Sequence, residues 1–151
     1  MSERFLLYCD SSLLLSLRLR GDVLNAAAVA WQRDHEEHPA VWTPLHRVEA
    51  LNKIRQLAKF GTITVAEARK VIHEWTYDLA RYFDHRELDF RDLCSAAAEI
   101  SATHGWVVRT RALDLLHVAF ARELGADLFA TCDQDQFVLA EAAGLKAELI
   151  S

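Results

Sequence analysis

Four acidic residues stand where a carboxylate is costly unless something compensates it. Asp10 ends the continuous apolar run Phe5-Leu6-Leu7-Tyr8-Cys9, and Asp133 ends a second run from Leu128 to Cys132. Asp114 falls in the first turn of an apolar helical pattern, and Glu49 sits within another, near Val48 and Leu51. Each has an ordinary explanation. Aspartate is a favoured helix N-cap, an acid in a first helical turn complements the macrodipole, and Lys53 is placed for an i,i+4 ion pair with Glu49. Asp135, two residues beyond Asp133, competes for the same position or caps the helix that follows. Taken together the four call for more. Carboxylates that converge repel one another and need a cation. Oxygen ligands without His or Cys select Mg2+ or Mn2+ rather than zinc. The matching chemistry is metal-assisted hydrolysis of a phosphodiester, in which the ion activates a water and neutralises charge on the scissile phosphate.

The elements that must position these acids follow from apolar periodicity. Uninterrupted runs ending on Asp10 and Asp133 predict strands buried on both faces, as in a parallel sheet. Ser11 and Ser12 are candidate caps for a helix after the first strand. A second helix is expected over 22–37, and a short strand over Ala40 to Thr43, between Pro39 and Pro44. Val48, Leu51, Ile54, Leu57 and Ala58 form one stripe of a helix over 45–59, ended near Gly61. Thr64 caps the next helix, Phe90 to Thr103 forms another, and Thr110 opens one that Gly125 closes. A helix over 137–143 and a strand over 147–150 complete the chain. Strands alternating with helices predict an α/β fold with a largely parallel sheet. Ligands of such sheets bind beyond the carboxyl ends of the strands, where Asp10 and Asp133 lie. Asp127 starts its strand on the opposite rim and receives no role.

Bulk properties set limits on this reading. The chain has 151 residues, about half of them apolar, which suits one domain spanning 1–151. No apolar stretch approaches the ~20 residues of a membrane span, and Glu3-Arg4 leads straight into a strand without a signal-peptide layout. The expectation is a soluble, cytoplasmic protein. Cys9, Cys94 and Cys132 form no CxxC pair and no disulfide framework. The net charge is −5, with ten Lys or Arg against nine acids in 1–75 and seven against thirteen in 76–151. That balance argues against a sequence-independent nucleic-acid coat, but not against an enzyme with a local basic patch. No GxGxxG or phosphate-binding loop occurs.

The segments carrying the acids resemble the PIN-domain family, and within it the VapC-type toxin ribonucleases of toxin–antitoxin systems. Leu7-Tyr8-Cys9-Asp10-Ser11-Ser12 resembles the family's opening strand, with its Asp followed two residues later by Ser or Thr. Arg111-Ala112-Leu113-Asp114-Leu115-Leu116-His117-Val118-Ala119 resembles the R-x-x-D helix. Thr131-Cys132-Asp133 resembles the later T-x-D, with Cys132 in place of a frequent aromatic, and Ala142-Ala143-Gly144-Leu145 fits the usual ending. Pro44 to Glu49 matches more loosely, and residues 61–92 do not align. The resemblance implies a PIN-like three-layer fold, a central largely parallel sheet flanked by helices. It implies a catalytic metal site of Asp10, Glu49, Asp114 and Asp133 for Mg2+ or Mn2+. It assigns Ser12 to orienting Asp10 or a water, Thr131 to the same task near Asp133, and Arg111 to a substrate phosphate or an acidic neighbour. His117 is read as a packing residue. The activity implied is a ribonuclease cutting single-stranded RNA, the toxin of a type II pair, with a small antitoxin partner and a homodimeric state.

Two other readings compete. One is a PIN-like scaffold that binds RNA or protein without cutting; the presence of all four acids disfavours it. The other is a haloacid-dehalogenase-type phosphotransferase, whose second Asp is replaced here by Ser12. On the 45–59 helix His46, Arg47, Lys53, Arg55 and Lys59 face one acid, Glu49, and offer either a solvated face or a grip on an RNA backbone. Trp31, Trp42, Trp75 and Trp106 are expected in the core or on a shared helical dimer surface.

Overall fold

A computed structural model describes residues 4–151, so Glu3 of the charged start lies outside it. The two apolar runs form adjacent parallel strands, β1 (Leu7–Cys9) and β4 (Leu128–Thr131), and β5 (Ala147–Leu149) extends the sheet in the order β1-β4-β5. A second parallel pair, β2 (Val41–Trp42) and β3 (Asp84–His85), joins this sheet through a bridge from Leu7 to Ala40. β3 has no counterpart in the sequence expectations. Asp and His are poor strand formers, and two residues carry no readable alternation. A backbone edge alone recruits them.

Strand alternation separates two cores. Leu7, Cys9, Leu128 and Ala130 face one side of the sheet and pack with α1 (Ser11–Arg18), α2 (Asn25–Asp34), α3 (Pro44–Lys59) and α4 (Val65–Tyr82). Tyr8 and Phe129, paired in register, face the other side and pack with α5 (Phe90–His104), α6 (Ala112–Leu124) and α7 (Gln134–Ala142). Every β1 residue is therefore buried, which is why the run reads as continuously apolar. The result is the expected three-layer α/β arrangement.

The caps differ from expectation in ways that matter for the site. Asp10, not Ser11 or Ser12, caps α1 by accepting from the Leu13 N–H, and both serines lie in the first turn. Thr110 does not cap α6; Arg111 holds that position without a side-chain cap bond. Asp133 caps α7, and Asp135 lies in its first turn instead. Gly125 closes α6 in the left-handed region, φ 68°, where a side chain would strain the backbone.

Candidate active site

Both strand-end acids are thus N-caps, and both stand at the carboxyl ends of adjacent parallel strands. Each carboxylate meets the positive end of a helix, which offsets part of its burial cost. Asp10 is 5% exposed and accepts three hydrogen bonds. Ser12 Oγ donates to Oδ1 at 2.7 Å, the Leu13 N–H to Oδ1 at 3.2 Å, and Thr131 Oγ1 to Oδ2 at 2.7 Å. Burial nevertheless outweighs these donors and pushes the Asp10 carboxyl up from the ordinary 3.8 to about 6.

Ser12 and Thr131 also stitch the two strand ends together. The Cys132 N–H donates to Ser12 Oγ at 3.0 Å, and the Asp133 N–H donates to Thr131 Oγ1 at 2.9 Å. Ser12 thus contacts the Asp10 carboxylate, and Thr131 contacts both that carboxylate and the Asp133 backbone. Only the adjacency of β1 and β4 makes this possible, since the partners are about 120 positions apart in sequence.

Asp114 and Asp133 meet through Arg111. Its Nε donates to Asp114 Oδ2 at 3.0 Å and its terminal nitrogen to Asp133 Oδ2 at 3.2 Å. Of the two roles expected for Arg111, the structure displays the acidic neighbour. Asp135 turns away and pairs loosely with Arg109 at 3.7 Å, which leaves Asp133 as the acid beside Arg111 and Thr131.

Glu49 reaches the site from α3, but not as an ion-pair partner of Lys53; among the described residues no such pair forms. Its Oε2 accepts from Ser11 Oγ at 2.7 Å and lies 2.5 Å from His117 Nε2. Burial pushes the Glu49 carboxyl up, but the His117 and Ser11 contacts prevail and hold it below its ordinary value. His117 is buried on the α6 stripe as expected, yet packing is only half of its role, because its Nδ1 also lies 2.7 Å from the Tyr8 hydroxyl. Ser11, Tyr8 and His117 are the site residues the sequence reading missed. The available signal was His117, three residues after Asp114 and so on the same helix face.

His46 does not belong to a basic RNA-gripping face. It is fully buried, its Nδ1 accepts from the Thr43 N–H, and its Nε2 donates to the Cys9 carbonyl at 2.7 Å. Burial drives its pKa down to about 3, so it is neutral. Trp42 and Trp75 are core residues as expected, whereas Trp106 is 89% exposed.

Among the described residues no group of three or more His, Cys, Asp or Glu is close enough to hold a metal ion. The acids are linked in two sets instead: Asp10 through Thr131 to Asp133, which shares Arg111 with Asp114, and Glu49 held separately by Ser11 and His117. The donor chemistry still fits a hard divalent cation, because every carboxylate donor is oxygen. Glu49 Oε1 and Asp114 Oδ1 accept no hydrogen bond among the described residues. A cavity of about 570 Å3 opens elsewhere, beside α1, α2 and the end of α4, and none of the predicted site residues lines it.

An α/β fold with acids at the carboxyl ends of adjacent parallel strands is the form in which PIN domains are built. The family model for the PIN domain matches residues 7–143, and the chain belongs to that family. No curated protein matches its sequence. Among solved structures it is similar to VapC20 of Mycobacterium tuberculosis, described as a sarcin-ricin loop cleaving toxin. The TM-score is 0.66 at 18% identity, covering 92% of this chain and 95% of that one. It is also similar to FitAcB from Neisseria gonorrhoeae, with a TM-score of 0.60 at 16% identity, covering 94% and 96%. At these identities the likeness concerns the fold. Among the described residues no helix is long and apolar enough to cross a membrane.

Proposed function

We propose that the protein is a metal-dependent endoribonuclease that hydrolyses phosphodiester bonds of single-stranded RNA, and that it is the toxin of a type II toxin–antitoxin pair. The observation that carries this reading is the pair of acids at the ends of β1 and β4, joined through Thr131 and extended to Asp114 by Arg111, with Glu49 Oε1 and Asp114 Oδ1 accepting no hydrogen bond among the described residues. Asp10, Glu49, Asp114 and Asp133 would hold Mg2+ or Mn2+. When bound, such an ion supplies Lewis acidity toward a phosphodiester and a water of lowered pKa. The chain's own residues do the rest. Ser12 and Thr131 hold Asp10, Ser11 and His117 hold Glu49, and Arg111 is the cation available to a phosphate. The toxin role rests on the family and on the likeness to VapC20, itself a toxin, and a small antitoxin, a homodimeric state and a cytoplasmic setting rest on family analogy.

One observation favours a second reading, a PIN-like scaffold that binds RNA or protein without cutting. Arg111 already bridges Asp114 and Asp133, so a resident cation balances that half of the site. The two readings separate on labelled single-stranded RNA incubated with Mn2+ or Mg2+, beside an EDTA control and the Asp114→Asn variant. Cleavage by the parent alone, abolished by chelation, is expected of the nuclease. Equal cleavage by parent and variant, or none by either across varied RNAs, would overturn it.

A further inference from the structure

Glu49 is the only one of the four acids that does not come from a strand end or the R-x-x-D helix. It projects from the middle of α3, and nothing on its own helix pairs with it. Two groups from other elements hold the same oxygen, Ser11 Oγ at 2.7 Å and His117 Nε2 at 2.5 Å. Behind His117 stands Tyr8, its hydroxyl 2.7 Å from Nδ1 and its ring stacked on Phe129 with centroids 5.5 Å apart and planes 8° from parallel. Tyr8 and His117 are both buried in the core on the α6 side of the sheet.

The geometry points to a positioning relay in which the Tyr8 hydroxyl fixes the tautomer of His117, and His117 thereby fixes the Glu49 carboxylate. This rests on the reading of Glu49 as a site acid given above. The direction of each bond follows from donor inventory. A carboxylate oxygen can only accept, so Nε2 must carry the hydrogen. In the relay the hydrogen sits on Nε2 alone, Nδ1 presents a lone pair, and the hydroxyl of Tyr8 is the donor that meets it. In the other neutral tautomer Nε2 would set a lone pair against the carboxylate, and Nδ1–H would meet the hydroxyl oxygen. Stacking on Phe129 limits how the Tyr8 ring can move, so the relay is anchored in the hydrophobic core. With Oε2 held from two sides, Oε1 accepts no hydrogen bond among the described residues, and Glu49 is presented in one orientation. Outer-shell partners of this kind typically contribute about 10–100-fold in metal affinity.

His117 and Tyr8 are therefore positioning residues, and their test needs a readout that a merely structural role would not move. Long-range proton–nitrogen correlation spectra report the ring tautomer of His117 directly. The parent is expected to show a single Nε2–H form, and Tyr8→Phe, which removes one oxygen and keeps the ring, is expected to mix the tautomers. Mn2+ calorimetry on the same proteins is expected to show His117→Phe weakened about tenfold or more, with Tyr8→Phe weakened several-fold. His117→Gln keeps an N–H donor and is expected to retain more affinity than His117→Phe. Should His117→Phe lose its fold, Tyr8→Phe and His117→Gln carry the test. An unchanged His117 tautomer in Tyr8→Phe, or parent-like Mn2+ affinity in folded His117 variants, would overturn the relay. Absence of Mn2+ binding by the parent would instead overturn the metal reading, and the relay would then be judged on the tautomer spectra.

Discussion

The two halves of the candidate site neutralise their charge in different ways. Asp10 is held by donors that carry no formal charge, the hydroxyls of Ser12 and Thr131 and the Leu13 N–H, and Glu49 is held by the Ser11 hydroxyl and the His117 ring. Asp114 and Asp133 are held by the full charge of Arg111, whose side chain is 66% exposed. Neutral donors keep geometry but leave much of a buried charge unpaid, and the Asp10 carboxyl is accordingly driven up to about 6. An exposed guanidinium does the reverse. It balances charge cheaply and can leave, because little packing holds it. The hydroxyl contacts thus set positions, and Arg111 is a cation that a metal ion could displace and that could turn to a substrate phosphate.

The largest effect that would test this contrast is loss of the interior charge. Asp10→Asn keeps the shape of the cap and removes the carboxylate. Cleavage of single-stranded RNA is expected to fall by more than the roughly 100-fold typical of losing an outer partner. Retained cleavage would remove Asp10 from the chemistry.

The same variant in metal-free protein tests the electrostatics. A folded-state pKa of about 6 against an ordinary 3.8 means that the folded protein binds the proton more tightly than the unfolded chain. Stability from this group is fully present below about pH 4 and is lost as pH rises through 6. Two units correspond to about 3 kcal/mol as an order of magnitude. Asp10→Asn is therefore expected to melt above the parent at pH 8, with the gain vanishing near pH 4. A pH-independent difference between the two proteins would show that burial does not strain Asp10.

Thr131→Val comes next. It strips a buried hydroxyl that donates to Asp10 and accepts from the Asp133 N–H. A loss of about 1–3 kcal/mol in urea unfolding is expected, since two buried groups lose their partner. A neutral result would mean that the two strand ends are held by sheet pairing alone.

Arg111→Gln is expected to have the smallest effect on stability, within about 1 kcal/mol, because the Arg111 side of both pairs is exposed and screened. Its sharper signature is in binding. Mn2+ affinity is expected to rise a few-fold while RNA cleavage falls, since the variant frees two carboxylates and loses a phosphate contact. A fall in Mn2+ affinity would erase the distinction between the two halves.

Much of this arrangement was legible before any coordinates. Apolar runs with no alternation imply strands buried on both faces, and an acid at the end of such a run is conspicuous because burial makes it costly. That reasoning located Asp10 and Asp133, and the R-x-x-D spacing placed Arg111 one helical turn from Asp114. Local physics also explains the helices and the Gly125 stop. The tertiary structure alone decided which partner each acid received. Ser11 reaches Glu49 across 38 positions, Thr131 reaches Asp10 across 121, and His117 reaches Glu49 across 68. No periodicity encodes contacts between residues so far apart. Strand β3 was hidden for a related reason: two polar residues become a strand only because β2 offers them an edge. His46 reads as a basic surface residue by type and is a neutral core residue by position. Sequence by itself determined which residues could afford chemistry, because composition and spacing govern local burial. Only the packing of β1 against β4, α3 and α6 determined how those residues hold one another, because hydrogen bonds depend on distances that the fold alone creates.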